Sequence, residues 1–150
     1  MSTKEERERD LKVFQVLVDD ICEHDPFARL YLEDLCHALR IWDDYYDQDH
    51  PVSRESILKV FEILFIRIPT NPFFQRHRDK LLTQHAVIFN TWIAANDAEH
   101  GDETDQMYAH VWKEQANEIL PIVALILKGY GKMDDVSNQI RGIFKSKLGE

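Results

Sequence analysis

The chain has 150 residues, of which 44% are hydrophobic and 30% charged, with five glycines and five prolines. This balance excludes a disordered or loop-rich chain and favours one folded domain. The net charge of -9 argues against a general nucleic-acid or anionic-membrane binder, because such binding depends on Lys and Arg that neutralise phosphates. A basic partner protein or a metal ion suits this charge better.

The cysteines and the first residues predict a reducing, aqueous compartment. Cys22 and Cys36 lie on apolar stretches without a metal-type spacing, so we expect buried thiols rather than a disulfide. Residues 1–10 are densely charged where a secretory signal would need an apolar run. The longest apolar windows reach about half of a membrane span. We therefore expect a cytoplasmic protein without a membrane segment.

Cap signals that precede apolar runs predict helices along the whole chain, and strand signals do not recur. The predicted caps are Thr3 with Glu6, Asp25 with Pro26, Ser53, Asn71 with Pro72, and Asp134 or Asp135 for the last helix. The first predicted helix covers about 4–23, and the second runs from 26 into the acidic stretch before Pro51. The third covers about 54–67, the fourth runs from 72 and fades over 96–102, and the fifth covers about 103–128, followed by the last helix. We expect kinks near residues 78–80 and at Pro121.

This pattern predicts an all-α fold, a single-domain bundle of five to seven helices over residues 1–150. The third helix is apolar over more than half of its circumference, so we expect it to be central. Several broad apolar faces also predict a homodimer.

The acidic stretch from Trp42 to His50 is the best candidate for chemistry. It holds four aspartates and a histidine at the end of the second predicted helix. On a helix, Asp43 and Asp47 share a face and Asp44 lies one step around it. Carboxylates this close repel one another unless a cation neutralises them, and hard oxygen ligands suit Mg²⁺. The stretch therefore predicts a magnesium site formed by Asp43, Asp44 and Asp47.

Residues 43–47 read Asp-Asp-Tyr-Tyr-Asp, which resembles the first metal-binding motif of class I terpenoid and isoprenyl diphosphate synthases. The resemblance implies that these aspartates hold Mg²⁺ against a substrate diphosphate. The second motif of that family is not matched at residues 96–99, and the chain is too short for a complete synthase. In size the chain is also similar to the all-helical nucleotide pyrophosphatases of the dimeric dUTPase and MazG type, although their paired acidic motifs are absent.

Four segments carry another resemblance. They are 41–47 (Ile-Trp-Asp-Asp-Tyr-Tyr-Asp), 49–53 (Asp-His-Pro-Val-Ser), 71–73 (Asn-Pro-Phe) and 90–96 (Asn-Thr-Trp-Ile-Ala-Ala-Asn). In these segments the chain resembles small all-helical proteins of tailed phages and prophages. The resemblance implies that the protein is phage-encoded and acts in the host-cell cytoplasm. It does not indicate a particular activity.

Further polar residues are candidates to complete a site. Asn90 lies among apolar residues and Asp97 shares its face, so both are candidates for the opposite half of the metal shell. The simpler interpretation is that Asn90 bonds to a backbone group or water and that Asp97 is exposed. Arg40, and Arg76 in the basic stretch 75–80, are candidates to bind phosphate.

A polar stripe on the second helix has two interpretations as well. Its members are Glu33, His37, Arg40, Asp44 and Asp47. The stripe is either part of a site or a solvated face with local pairs such as Arg40 with Asp44, each worth a few tenths of a kcal/mol.

Two functional hypotheses of different classes follow. In the first, a small acidic accessory or host-interaction protein binds another protein through a surface that includes Trp42, Tyr45 and Tyr46. In the second, a Mg²⁺-dependent enzyme or metal-binding protein acts on a diphosphate or nucleotide. Its metal ligands would be Asp43, Asp44, Asp47, Asn90 and Asp97. The sequence assigns no catalytic residue and no cofactor other than Mg²⁺.

Overall fold

The computed structural model describes residues 3–48 and 50–148, which contain seven helices and no strand. The helices are α1 (Lys4–Ile21), α2 (Pro26–Asp47), α3 (54–70), α4 (Pro72–Arg76), α5 (Arg78–Ala98), α6 (103–128) and α7 (Tyr130–Leu148). The all-α prediction and the predicted helix number are confirmed. The chain divides into two compact units, Met1–His77 and Arg78–Glu150. That residues 1–150 form a single domain stays a prediction.

The predicted local caps set the starts of four helices. The Thr3 hydroxyl accepts a hydrogen bond from the Glu6 N–H at 3.1 Å, and the Glu6 carboxylate accepts one from the Thr3 N–H at 2.7 Å. Asp25, Ser53 and Asn71 each accept from backbone N–H groups in the first turn of their helices. Such a cap satisfies donors that a helix start leaves unpaired and is worth about 1 kcal/mol. These four predicted starts are confirmed.

In the first unit, α2 packs against both α1 and α3. Arg29 of α2 pairs with Asp19 of α1 near the turn that connects them. Arg7 pairs with Asp44 at the other end of the same two helices. Because the two pairs lie at opposite ends, α1 and α2 run antiparallel.

An aromatic cluster forms the core between α2 and α4. The Tyr31 side chain is fully buried, and its ring lies 5.8 Å from that of Phe73 and 5.9 Å from that of Phe74, between centroids. Asn71 Nδ2 donates to the Phe27 carbonyl at 2.9 Å. The Asn71 side chain therefore both caps α4 and fastens it to the start of α2.

The structure contradicts the expectation that α3 is central. No residue of Arg54–Glu62 is buried, and only Ile63 and Ile68 are buried in the rest of the helix. Five large apolar side chains on one side of α3 are instead 37–71% exposed: Ile57, Leu58, Phe61, Leu64 and Phe65. We call these five residues the α3 face. Apolar composition alone did not predict burial, because burial also requires a neighbouring element on that side.

A π-helical turn, Ile63–Arg67, shifts the phase of α3. Ile68 follows Phe61 by seven residues, a spacing that places two side chains on one face of a regular α-helix. Ile68 is nevertheless buried, while Phe61 is half exposed. The i to i+5 hydrogen bonds of a π turn include more residues per turn. The turn therefore rotates Ile68 into the core and leaves Leu64 and Phe65 outside.

In the second unit, α5 packs against the first part of α6, and the last part of α6 packs against α7. Trp92 Nε1 donates to the Lys113 carbonyl at 3.1 Å. The Lys113 ammonium lies 5.8 Å from the Trp92 ring centroid and also pairs with Glu99. One aromatic residue thus fixes α5 on α6 through a hydrogen bond and a cation–π contact.

Both predicted kinks correspond to real interruptions. The helix predicted over 72–96 is divided at His77 into α4 and α5. Within α6, a 3₁₀ turn at Glu114–Glu118 separates the α-helical parts Glu103–Lys113 and Ile119–Lys128. Pro121 has no N–H, and its ring conflicts with the carbonyl four residues earlier, at Asn117. The α-helical bonding is therefore interrupted one turn before the proline.

The start of α7 differs from the prediction. Gly129 has φ 90 and ends α6, and α7 begins at the next residue, Tyr130. Asp134 and Asp135 consequently lie inside α7, so their prediction as caps is wrong. A single glycine with positive φ is sufficient to separate the two helices.

Candidate functional site at the end of helix α2

The acidic stretch forms the last turns of α2, as predicted. The helix ends at Asp47, and Gln48 caps it with a left-handed backbone of φ 56. The last turn contains no basic residue, although the aspartates lie where the helix dipole is negative. Compensating positive charge must therefore come from another part of the molecule. Asp49 lies outside the described residues.

Arg7 of α1 supplies this compensation to Asp44. Arg7 Nη2 donates to Asp44 Oδ2 at 3.0 Å, and both side chains are largely shielded from solvent. A guanidinium thus lies at a carboxylate that the metal hypothesis assigns to Mg²⁺. The sequence does not indicate Arg7 as a site residue, because Arg7 and Asp44 are 37 positions apart and no local pattern links them.

Arg40 contacts Cys36 rather than forming the pair with Asp44 that the helical spacing predicts. Its Nη2 donates to Cys36 Sγ at 3.5 Å. Burial raises the pKa of the Cys36 thiol, and the Arg40 charge offsets part of that rise. Cys22 and Cys36 form no disulfide; Cys22 is a buried thiol, as expected, whereas Cys36 is only partly buried. A raised thiol pKa does not favour a nucleophilic role.

His37, on the same side of α2, is held towards its neutral form. Burial lowers its pKa, and the positive charges of Arg40 and Lys59 lower it further, against a smaller opposite effect of Asp34. His37 therefore lies near two positive charges, Arg40 of the polar stripe and Lys59 of α3.

Another ion pair between helices holds α2 to α3. Arg67 Nε, in the π turn, donates to Asp34 Oδ2 at 2.9 Å. Asp34 is only 8% exposed, and the hydrogen bond to it raises the pKa of Arg67. This pair was not predicted, although the sequence contains a signal that Asp34 is buried. Asp34 lies three residues after Tyr31 and four before Ala38, the spacing of one helix face, and both neighbours are buried.

Trp42, Tyr45 and Tyr46 form the aromatic part of the candidate site. Their spacing of three and four residues places them on one side of α2. Tyr45 is 66% exposed, while Trp42, Asp43, Tyr46 and Asp47 are partly exposed. We call Trp42, Asp43, Tyr45, Tyr46 and Asp47 the acidic aromatic patch. It presents an exposed phenol ring bordered by negative charge.

The other predicted site residues belong to α4 and α5. Arg76 is exposed at the end of α4. Asn90 and Asp97 lie on α5, in the second unit, and both are exposed. Asn90 therefore meets water and needs no buried partner. The buried amide of α5 is Asn96, which follows the buried Trp92 by four residues, a spacing that could have indicated it.

The chain has no recognisable metal cluster or membrane span among its described residues, and it matches no known protein. In the described residues, no group of three or more His, Cys, Asp or Glu side chains is placed so that it could hold a metal ion. None of the helices in residues 3–48 and 50–148 combines the length and the apolar character needed to cross a membrane. No protein-family model, curated protein or solved structure matches the chain.

Proposed function

We propose that this protein is a non-enzymatic accessory or host-interaction protein of phage type, which acts in the host-cell cytoplasm by binding a basic partner protein. The acidic aromatic patch is its binding surface. The observation that carries the proposal is the exposure of Tyr45, a large aromatic side chain that is 66% accessible on a helix end rich in carboxylates.

The chemistry of the patch supports protein binding. Tyrosine and tryptophan are enriched at protein interfaces, because they combine a large apolar area with a polar group. The net charge of -9 attracts a basic partner over distance and raises the rate of encounter. An aromatic anchor surrounded by charge of one sign gives both affinity and selectivity.

The pair of Arg7 and Asp44 supports the same function by positioning the patch. It holds the last turns of α2 against α1 at 3.0 Å, next to Tyr45 in the chain. A prepositioned helix end loses less conformational entropy when a partner binds. Arg7 also neutralises the charge of Asp44, the residue that precedes Tyr45 in the chain.

Affinity capture from a host-cell lysate tests the proposal. The baits are the full chain, its Tyr45→Ser variant and a matched control, Tyr130→Ser, which alters a tyrosine that is 71% exposed on α7. We expect one basic protein in stoichiometric amount on the wild type and the control, and much less on Tyr45→Ser. Added salt should weaken the capture, since the attraction is electrostatic.

Recovery of no stoichiometric partner would contradict the proposal. Equal recovery on the wild type and Tyr45→Ser would contradict the assignment of the patch. Because Tyr45 and Tyr130 are both exposed, neither substitution should alter the far-ultraviolet circular dichroism spectrum.

A further inference from the structure

We propose that two copies of this chain associate through the α3 face, with the two α3 helices packed antiparallel about a two-fold axis at Phe61. This inference goes beyond the proposed function, because it concerns different residues and a different partner. The partner is a second copy of the same chain.

The spacing of the α3 face supports a self-complementary interface. Ile57 and Phe65 each lie four residues from Phe61. Leu58 and Leu64 each lie three residues from it. In an antiparallel pair centred on Phe61, Ile57 of one copy lies opposite Phe65 of the other, and Leu58 lies opposite Leu64. Each apolar side chain thus meets an apolar side chain, as a two-fold interface requires.

The charges near the face favour the antiparallel direction. Arg54 lies seven residues before Phe61 and three before Ile57, so it continues the same side of the helix. A parallel pair would place the two Arg54 side chains together, whereas an antiparallel pair places each beyond Phe65 of the other copy. Antiparallel helices also oppose their dipoles favourably. Glu62, at the edge of the face, is paired with Lys59 at 3.1 Å.

The exposed area is sufficient for a specific contact. The five side chains of the α3 face are 37–71% exposed. With roughly 100 Å² accessible on each, these side chains of two copies bury at most about 1,000 Å², which is the lower limit of a specific interface. Adjoining residues add to this area. The rings of Phe61 and Phe65 are already in contact, with centroids 5.3 Å apart, so part of the surface is ordered before association.

Charge substitutions at the axis test the inference. Phe61 faces itself across a two-fold axis, so Phe61→Glu alone and Phe61→Lys alone each place like charges together. We expect the wild type to be a dimer in sedimentation equilibrium and both variants to be monomers. An equimolar mixture of the two variants should restore a dimer, because Glu then faces Lys. The matched control is Phe89→Glu, at a phenylalanine that is 59% exposed on α5, and it should remain a dimer.

A second mixture tests the direction of the helices. Copies with Ile57→Lys and copies with Phe65→Glu should associate with each other more strongly than either does with itself, since these positions lie opposite each other only in the antiparallel pair. Circular dichroism and thermal melting establish that each variant is folded.

Three outcomes would overturn the inference. They are a monomeric wild type, a dimeric Phe61→Glu variant, and a mixture of Phe61→Glu with Phe61→Lys that stays monomeric. None of these outcomes bears on the capture of a basic partner by Tyr45, so the two proposals fail independently.

Discussion

Arg67 Nε donates a hydrogen bond to the almost buried carboxylate of Asp34 at 2.9 Å, from the π turn of α3 to the first half of α2. The two partners are unequally exposed, because the Arg67 side chain remains 36% accessible and that of Asp34 only 11%. Their removal should therefore have unequal effects. A solvated guanidinium can lose its partner at small cost, whereas a buried carboxylate cannot.

We expect Arg67→Met to lower the free energy of unfolding by about 2 kcal/mol, because it leaves the Asp34 carboxylate buried without its partner. Asp34→Asn should cost less, since Arg67 can turn to water. Urea denaturation followed by circular dichroism measures both. The control is Lys59→Met, which removes the exposed pair with Glu62 and should change stability by less than about 0.5 kcal/mol. Equal losses for Arg67→Met and Lys59→Met would contradict the role given to this pair.

The magnesium hypothesis gives a second prediction. Because Arg7 occupies Asp44, we expect millimolar Mg²⁺ to raise the thermal midpoint of the wild type no more than that of the double variant Asp43→Asn/Asp47→Asn. A ligand that binds the folded state selectively would raise the midpoint by mass action. A rise in the wild type that the double variant loses would establish a metal site and favour the Mg²⁺-dependent alternative. Arg7→Gln is the informative companion, because it releases Asp44 for an ion.

The pH dependence of stability should include a contribution from His85. Burial lowers its pKa from the ordinary value of 6.5, so the unfolded chain binds a proton at this residue more readily than the folded chain does. Stability is then fully present above pH 6.5 and falls as the pH decreases from there towards the lower folded pKa. We expect His85→Gln to show a smaller decrease in melting temperature between neutral and mildly acidic pH than the wild type.

His24 is the matched control for that measurement. Its side chain is 87% exposed, and it contacts solvent on the turn between α1 and α2. His24→Gln is a substitution at an exposed position and should therefore change the melting temperature at neutral pH very little. If the pH profile of His85→Gln is indistinguishable from that of the wild type, burial of this histidine does not contribute to the pH dependence of stability.

Substitution of Gly129 and Gly142 by alanine separates the effect of backbone conformation on stability from the effect of steric clashes. A Cβ atom added at Gly129 or at Gly142 would meet no atom within 4 Å, but Gly129 has φ 90. We expect Gly129→Ala to destabilise the protein by about 1 kcal/mol, because an L-residue is strained at that φ. Gly142→Ala, inside α7, should stabilise it by roughly 0.5–1 kcal/mol through helix propensity. Thermal denaturation measures both variants. The melting temperature should fall for Gly129→Ala and rise for Gly142→Ala, and changes in the same direction would contradict the prediction.

The helix starts could be predicted from the sequence because each depends on a few neighbouring residues. A cap is formed by residues within four positions of one another, as by Thr3 with Glu6 and by Asn71 with Pro72, so it can be recognised from the local sequence. The same locality misled the prediction for α7. Asp134 and Asp135 have the chemistry of caps, but the preceding break needs only Gly129, so the helix has already begun when the chain reaches them.

The candidate site was predicted in part. The acidic and aromatic residues at the end of α2 could be recognised from their spacing, and the exposure of Tyr45 agrees with a surface role. The partner of Asp44 could not be recognised, because Arg7 reaches it only after α1 and α2 pack antiparallel. The exposure of α3 escaped prediction for a related reason. The sequence shows which side chains of α3 are apolar, but which of them are buried depends on how many helices pack around α3.

Because of the π turn at Ile63–Arg67, the number of residues in this turn determines which side chains of α3 are exposed, and the amino-acid composition does not. If one residue were deleted from this turn, the helix could continue with regular α-helical bonds, and Ile68 would rotate towards the side of Phe61 and out of the core. Arg67 would rotate with it, away from Asp34. A chain one residue shorter here would retain almost the same composition and hydropathy, and yet it would bury and expose a different set of side chains.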